Sequence, residues 1–492
     1  MECHQQKIMS TDIEIFHHDD VYLKIKCPDN VAAELAEHFS FFVPGYKHMP
    51  KFVHGVWDGK IRLFNIRKRT IYQGLYDHVV KYLQSFDYKF KSHVPQNDRK
   101  VSLADIQEFI KTIDLPEKYQ VRDYQLKSLE HVINNNRALV LSPTSSGKSL
   151  LIYILIRYFD VKTLIIVPTT TLVDQMYSDF EDYGFDSKSN IHKIYSGQDK
   201  HTKKQITVST WQSLFREPTD YFKDFQLVIG DEAHTFAATS LKTIMEGLTK
   251  CPVRIGTTGS LDGSKTNKMV LEGLFGPTYV ATSTSELMIA GHVAKLTIKC
   301  LNLQWPVDTR KQAVRAKYDD ENTFLVENPT RNRMITNLAK TTEGNVLILF
   351  RNRSQGNALY QLCVDKIDNR EIYYVDGKVK TAARTQIRTD VNKEKTSVLI
   401  ASVGTFATGI NIQNIDVIIF AAPTKSRIRN IQAIGRGLRK SERKTECVLY
   451  DLSDDLSHNK WVNHTLRHFM ARIQIYNEEK FNYKIFKVPV QC

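Results

Sequence analysis

The sequence predicts an α/β protein with two tandem parallel-sheet lobes preceded by a small α+β domain, and three observations carry that prediction. Uninterrupted apolar runs alternate with amphipathic helical stretches in two successive sets. Strands of a parallel sheet are covered on both faces, so they read as continuous apolar runs and not as an alternation. The first part of the chain lacks this rhythm and places short aromatic and β-branched runs between helix-like stretches. At 492 residues the chain is long enough for roughly three domains.

Residues 1–95 read as the α+β domain, with strand candidates at 12–16, 21–27 and 61–66 and helices over 31–42 and 76–86. Between residues 47 and 91 ten Lys/Arg stand against three acids, interleaved with Tyr46, Phe52, Trp57, Phe64, Tyr72, Tyr76, Tyr82 and Tyr88. Positive charge pairs with phosphate and exposed aromatics stack on bases, so the mixture suits nucleic acid, although each aromatic taken singly reads as core. Segment 55–62 reads as a tight turn between two strands that presents Lys60 and Arg62.

Residues 96–118 form a linker with one helix. The first lobe, 119–282, has strand candidates at 138–141, 163–167, 206–209, 227–230 and 254–257. Leu172, Met176, Phe180 and Tyr183 share one helical face, and Gly184 can stop that helix. The second lobe, 283–492, repeats the pattern at 346–350, 371–375, 397–402, 417–422 and 447–452; from Trp461 the chain is helical at first and basic throughout.

The formal net charge is +14 with an isoelectric point near 9.2, which makes a polyanion the natural partner. Seven cysteines lie scattered without a CxxC pair, which argues against a disulfide scaffold or a zinc site. Residues 1–20 carry no apolar signal core, and runs such as 417–423 are too short to span a bilayer. The expectation is a cytoplasmic protein without a membrane partner, with Met9 as an alternative start.

The chemistry begins at Leu139-Val140-Leu141-Ser142-Pro143-Thr144-Ser145-Ser146-Gly147-Lys148-Ser149, where an apolar strand enters a small-residue loop and an apolar helix follows from about Leu150. Such a loop turns backbone N–H groups and a helix N-terminus toward phosphates. Lys148 would reach the β/γ oxygens and the Ser149 hydroxyl would ligate Mg²⁺. About 80 residues later a buried strand ends in Asp231-Glu232-Ala233-His234. Adjacent carboxylates can split roles, Asp231 holding Mg²⁺ through water and Glu232 orienting and deprotonating the attacking water.

Asp231-Glu232-Ala233-His234 resembles the DEAH box of superfamily 2 helicases, and Pro143 to Ser149 resembles that superfamily's version of the phosphate loop, with Ser142 in place of the first glycine. Its other motifs stand in the expected order. Arg122-Asp123-Tyr124-Gln125 resembles the adenine-reading segment, in which Gln125 would bond the base. Val167-Pro168-Thr169-Thr170 and Ser209-Thr210-Trp211-Gln212 resemble segments that touch the nucleic-acid backbone. Thr257-Thr258-Gly259-Ser260 stands where Ser-Ala-Thr is usual. In the second lobe, Gln432-Ala433-Ile434-Gly435-Arg436-Gly437-Leu438-Arg439 matches the arginine-finger motif, with Arg439 the first choice for the finger and Arg436 and Gln432 also near the γ-phosphate. Segment 402–411 resembles the motif before it, with Thr405 on the DNA backbone, Gly409 at the nucleotide and Asn411 where aspartate is frequent. Arg351, at a strand end, reads as a backbone contact or as part of a solvated loop.

The N-terminal residues Phe41, Gly45-Tyr46, Trp57 to Leu63 and Gly74-Leu75 are similar to the N-terminal domain of phage recombination helicases. Val167 to Thr170, Ser209 to Gln212, Gly259-Ser260-Leu261 and Glu479 to Tyr483 extend the resemblance to these helicases over essentially the whole chain. The resemblance implies two RecA-like lobes, ATP and Mg²⁺ as cofactors, and a DNA-dependent ATPase. It further implies branched or single-stranded DNA as partner, including forks, Holliday junctions and the RNA–DNA hybrids of R-loops, in phage recombination, repair and replication. The alternatives are an RNA helicase, the motor of a restriction system, and a non-catalytic nucleic-acid-binding or annealing module on a helicase fold. Protein partners, polarity and oligomeric state are not specified by these residues.

Overall fold

The computed structural model describes residues 13–491 except 96, 99, 196, 410, 411, 423–425 and 441–443, together with all but the side chains of 381 and 407–409. The chain divides into two units, Met1–Ser142 with Gly147–Ala281, and Pro143–Ser146 with Thr282–Cys492.

The first unit opens with a mixed five-stranded sheet in the order Phe64–Asn65, Thr70–Tyr72, Tyr22–Lys26, Ile13–His17, Phe90–His93. Helices Asp29–His38 and Tyr76–Ser85 cover it. The helix expected over 31–42 stops at His38, because Ser40–Phe42 pairs antiparallel with Lys60–Arg62. A long-range ladder there overrides the local helical pattern. The turn expected at 55–62 is also different. It joins the short helix Pro50–Val53 to the strand Lys60–Arg62, so its two ends are a helix and a strand.

The lobe that follows is a seven-stranded, all-parallel sheet in the order Ile191–Ile194, Ile206–Thr210, Thr163–Val167, Leu227–Asp231, Val253–Thr258, Arg137–Leu141, Thr278–Val280. All five strands expected from apolar runs are present, and two edge strands join them. The α+β domain does not keep a core to itself. Leu23, Ile71, Leu75 and Leu83 belong to the same apolar cluster as Phe236, Leu274 and Phe275 of the lobe. Polar contacts fix the junction: Tyr72 Oη donates to Glu246, His78 Nε2 lies 2.9 Å from Glu272, and Asp20 N–H donates to Thr249 O at 3.1 Å.

The second unit carries another all-parallel seven-stranded sheet, Glu371–Val375, Ser397–Ser402, Val346–Phe350, Val417–Phe420, Glu446–Asp455, Lys295–Gln304, Tyr483–Pro489. Both seven-stranded lobes are RecA-like. The basic C-terminal stretch forms the helix His464–Glu478 and then the edge strand Tyr483–Pro489. Two fully buried ion pairs, Arg472 with Asp451 and Arg331 with Asp454, sit beneath this sheet's helices. Each carboxylate receives at least two N–H or O–H donors, so neither charge is left uncompensated.

Candidate active site

The phosphate-loop sequence folds as a tight turn between the strand Arg137–Leu141 and the helix Lys148–Phe159. Ser146 donates through its hydroxyl to Pro143 O at 2.7 Å, and Ser145 takes a positive φ of 68°. Gly147 has φ +80°, and a Cβ there would stand 2.6 Å from the Gln125 amide nitrogen. Only glycine satisfies both the dihedral and the space. Lys148 Nζ donates to Ser142 O at 3.1 Å, which folds the ammonium back over the loop. The helix behind it is apolar nearly all round, as a helix packed under a sheet must be.

Sheet register brings the acids to the same edge. Asp231 pairs with Thr257, and Thr258 pairs with Leu141, the last residue before the loop. The carboxyl ends of three neighbouring strands therefore face one place, where open α/β sheets take their ligands. Thr257 Oγ1 donates to Asp231 Oδ1 at 2.8 Å, and His234 Nδ1 lies 3.0 Å from Thr258 Oγ1. Glu232 sits in the left-handed region at φ 51°, a conformation that costs on the order of 1–3 kcal/mol and collects at functional sites.

Burial and the adjacent Glu232 charge push the Asp231 carboxyl above the usual aspartate range, while Lys148 and the Thr257 hydroxyl pull it down. Burial is the larger cause of the rise, and a divalent cation beside the two adjacent carboxylates would offset it. Among the described residues no group of three or more His, Cys, Asp or Glu could hold a metal alone. Mg²⁺ characteristically relies on one or two carboxylates plus substrate phosphates, and Ser149 and Asp231 are a donor set of that kind. The Ser149 hydroxyl bonds Tyr183 Oη at 2.8 Å, and Tyr183 is clamped edge-on by Tyr119 at 4.8 Å. The sequence had placed Tyr183 only on a core face.

Gln125 is buried, accepting from Arg122 N–H at 2.9 Å and donating to Gly147 O at 3.1 Å. Its amide thus ties the segment 122–125 to the phosphate loop, and Arg122 Nη1 donates to Tyr124 Oη at 2.8 Å. In the second unit, Gln432 and Arg436 lie one turn apart on the helix Arg427–Gly437, with Arg439 just beyond it, and all three are half-buried. Gly409 ends the helix Val403–Gly409, while Asn411 lies outside the described residues.

The residues expected at the nucleic-acid backbone separate into two groups. Pro168 and Thr169 line a cavity of about 660 Å³ with Gln198, Lys200, Gln212 and Arg216. Thr210 lines it too but is 4 % exposed, its hydroxyl 3.2 Å from Ser213 Oγ. Trp211, which the motif places at the nucleic-acid backbone, is partly buried and packs its ring against Phe215 and the apolar core. Lys200 and Arg216 carry no motif spacing, and only the fold brings them here.

Thr405 is likewise buried, accepting from the Ser402 hydroxyl at 2.7 Å, whereas Arg351 is exposed and donates to Tyr318 Oη at 3.0 Å. Lys60 Nζ stands 5.0 Å over the Phe42 ring, and Arg62 is paired with Asp58. Of the interleaved aromatics, Phe64, Tyr72 and Tyr82 are core, as each read singly.

Three family models match the chain: the UvsW DNA helicase N-terminal domain over residues 12–93, the res subunit of type III restriction enzymes over 118–262, and the helicase conserved C-terminal domain over 330–441. The chain is 33 % identical over 497 residues to the ATP-dependent DNA helicase uvsW of Enterobacteria phage T4, covering 96 % of this chain and 98 % of that protein. It is 29 % identical over 209 residues to the DNA 3'-5' translocase XPB2 of Sulfurisphaera tokodaii, covering 42 % of this chain and 46 % of the relative. The crystal structure of T4 UvsW superposes with a TM-score of 0.51 at 30 % identity, over 98 % of this chain and all of that one. The type ISP restriction-modification enzyme LlaBIII bound to DNA superposes at 0.57 with 15 % identity, over 84 % of this chain and 36 % of its own, a likeness of fold alone.

Proposed function

This chain belongs to the UvsW family of superfamily 2 helicases, and from that premise we propose that it is an ATP-driven motor acting on branched DNA: stalled forks, Holliday junctions and R-loops. As a member of that family it is an ATP-dependent DNA helicase and binds nucleic acid. The two RecA-like lobes, 119–282 and 283–492, are assigned as the motor, residues 96–118 as the linker and residues 1–95 as the part that grips duplex near the branch. No helix among the described residues is long and apolar enough to cross a membrane. The assigned place of work is the cytoplasm of a phage-infected cell.

In this reading Pro143 to Gly147 cradle the phosphates through backbone N–H groups, Lys148 neutralises the β/γ oxygens, and Arg122 and Gln125 read the adenine side. Ser149 and Asp231 would hold Mg²⁺, which would supply positive charge against the phosphates. Glu232 orients the attacking water and takes its proton. Arg439, helped by Arg436 and Gln432, supplies positive charge to the γ-phosphate from the second unit, so that hydrolysis answers to domain movement. Pro168, Thr169 and Thr210, with Lys200 and Arg216 beside them, are assigned to the strand backbone.

The observation that carries the reading is the register of the Asp231 strand. It ends the strand in Asp231 at the sheet edge from which the Lys148 loop leaves, with Glu232 next in the chain; Thr257 bonds Asp231, and His234 meets Thr258. Glu232→Gln tests it. The variant is expected to bind ATP and DNA as the wild type does and to turn over about 10²–10⁴-fold more slowly, the usual contribution of a general base. Near-normal turnover in a single-turnover assay would remove Glu232 from the chemistry.

A further inference from the structure

The α+β domain carries a feature that its basic composition does not explain. Between the paired strands Ser40–Phe42 and Lys60–Arg62 the chain makes a closed excursion, residues 43–59. Its base is pinned by Val43 N–H donating to Gly59 O at 2.9 Å and by Trp57 Nε1 donating to Lys60 O at 2.8 Å. Val56 and Trp57 N–H both donate to Lys51 O, at 2.9 and 3.1 Å.

An aromatic hub fills the inside. The Tyr46 ring stacks on Phe42 at 4.6 Å and meets Phe52 edge-on at 4.8 Å. Gly59, at φ +80°, lets that ring approach so closely that a Cβ would stand 2.3 Å from it. The excursion is therefore internally braced. Its outer side is apolar all the same: Val56 is 78 % exposed, Val53 66 %, Phe42 49 % and Met49 36 %.

Three apolar side chains on one braced loop, with Phe42 half exposed at its base, are costly to leave in water without a use. The surrounding charge indicates the occupant. Residues 43–62 include Lys47, His48, Lys51, His54, Lys60 and Arg62, against the single acid Asp58, which is taken by Arg62. A protein surface that combines an apolar tip with a cationic flank fits an unstacked base step between its two phosphate backbones.

The loop is also joined to the motor. Thr266 Oγ1 donates to Phe42 O at 2.8 Å, and Lys265 Nζ lies 5.4 Å from the Phe41 ring. Those two residues open the helix Lys265–Phe275, a few positions after Thr257 and Thr258, which touch Asp231 and His234.

We infer that residues 43–59 are a strand-separating wedge. Val53 and Val56 meet the first base pair of a DNA branch point while Lys47, Lys51 and Lys60 hold the flanking phosphates. The inference rests on the branched-DNA reading above and adds to it the element that parts the strands.

The test compares wild type with Val53→Ser/Val56→Ser and with Val53→Leu/Val56→Leu, in the full chain. A forked DNA carries 2-aminopurine at the junction pair. Wild type and the leucine variant are expected to raise its fluorescence on binding without ATP, and the serine variant is not. Fork unwinding by the serine variant should fall about tenfold, the effect of losing part of an unstacking wedge. Its ATP turnover on single-stranded DNA should stay within about twofold, since the changed side chains are exposed.

Equal fluorescence and equal unwinding by the serine variant overturn the wedge. So does a sedimentation shift showing that these valines hold two copies of the chain together, with the fork signal unaffected. Absence of DNA-stimulated turnover in the wild type overturns the motor reading and the wedge with it, and the two failures are distinguished by that control.

Discussion

The nucleotide edge of the first seven-stranded lobe and the basic side of the α+β domain belong to one unit, yet they are recorded in the sequence in different ways. At the nucleotide edge, the proposed site residues are fixed to strand ends. Leu141, Asp231 and Thr258 are each the last residue of a strand, so sheet register alone aligns them. On the α+β domain, the nucleic-acid role proposed above would depend on which side chains the fold turns outward. Ten cations and eight aromatics looked alike in sequence, but Phe64, Tyr72 and Tyr82 are core while Phe42, outside that set, is half exposed. Chemistry bound to backbone geometry survives as spacing. Chemistry bound to surface shape does not.

The largest expected effect tests the nucleotide side. Arg439→Ala should leave ATP binding nearly intact and slow hydrolysis by about 10³–10⁵-fold, the range of an arginine finger. A change under about tenfold, read in a single-turnover assay, would mean that the second unit contributes no finger and that the contrast is drawn too sharply.

A smaller effect is expected on the basic side, and it divides two residues that the sequence treated as equals. Lys60 has only a ring beneath its ammonium, whereas Arg62 is already paired with Asp58. Lys60→Ala should reduce the slope of log K against log salt by about 0.9, one phosphate's worth, and Arg62→Ala by less. Equal reductions, measured by fluorescence anisotropy over a salt series, would show that Asp58 releases Arg62 on binding.

The same distinction explains what could be read in advance. The central strands were legible because a strand buried on both faces keeps an unbroken apolar run, as Thr163–Val167 and Val346–Phe350 do. Ile191–Ile194 and Tyr483–Pro489 were not, because these edge strands break their apolar residues with His and Lys, whereas the edge strand Glu371–Val375 keeps an unbroken Ile-Tyr-Tyr-Val run. Lys148, Ser149, Asp231 and Glu232 could be named from motif spacing. Tyr183 on the Ser149 hydroxyl, and Lys200 and Arg216 beside Pro168, could not, since each reaches its place through tertiary packing alone. Trp211 adds a feature that motif spacing does not show: its ring packs against the core.

The most direct test of an ATP-driven DNA motor is ATP turnover by the wild-type chain with no nucleic acid, with forked DNA and with a fork of matched RNA sequence. Turnover is expected to rise strongly on the DNA fork and less on the RNA fork. Turnover that is unchanged by DNA, or that answers only to RNA, would contradict the account.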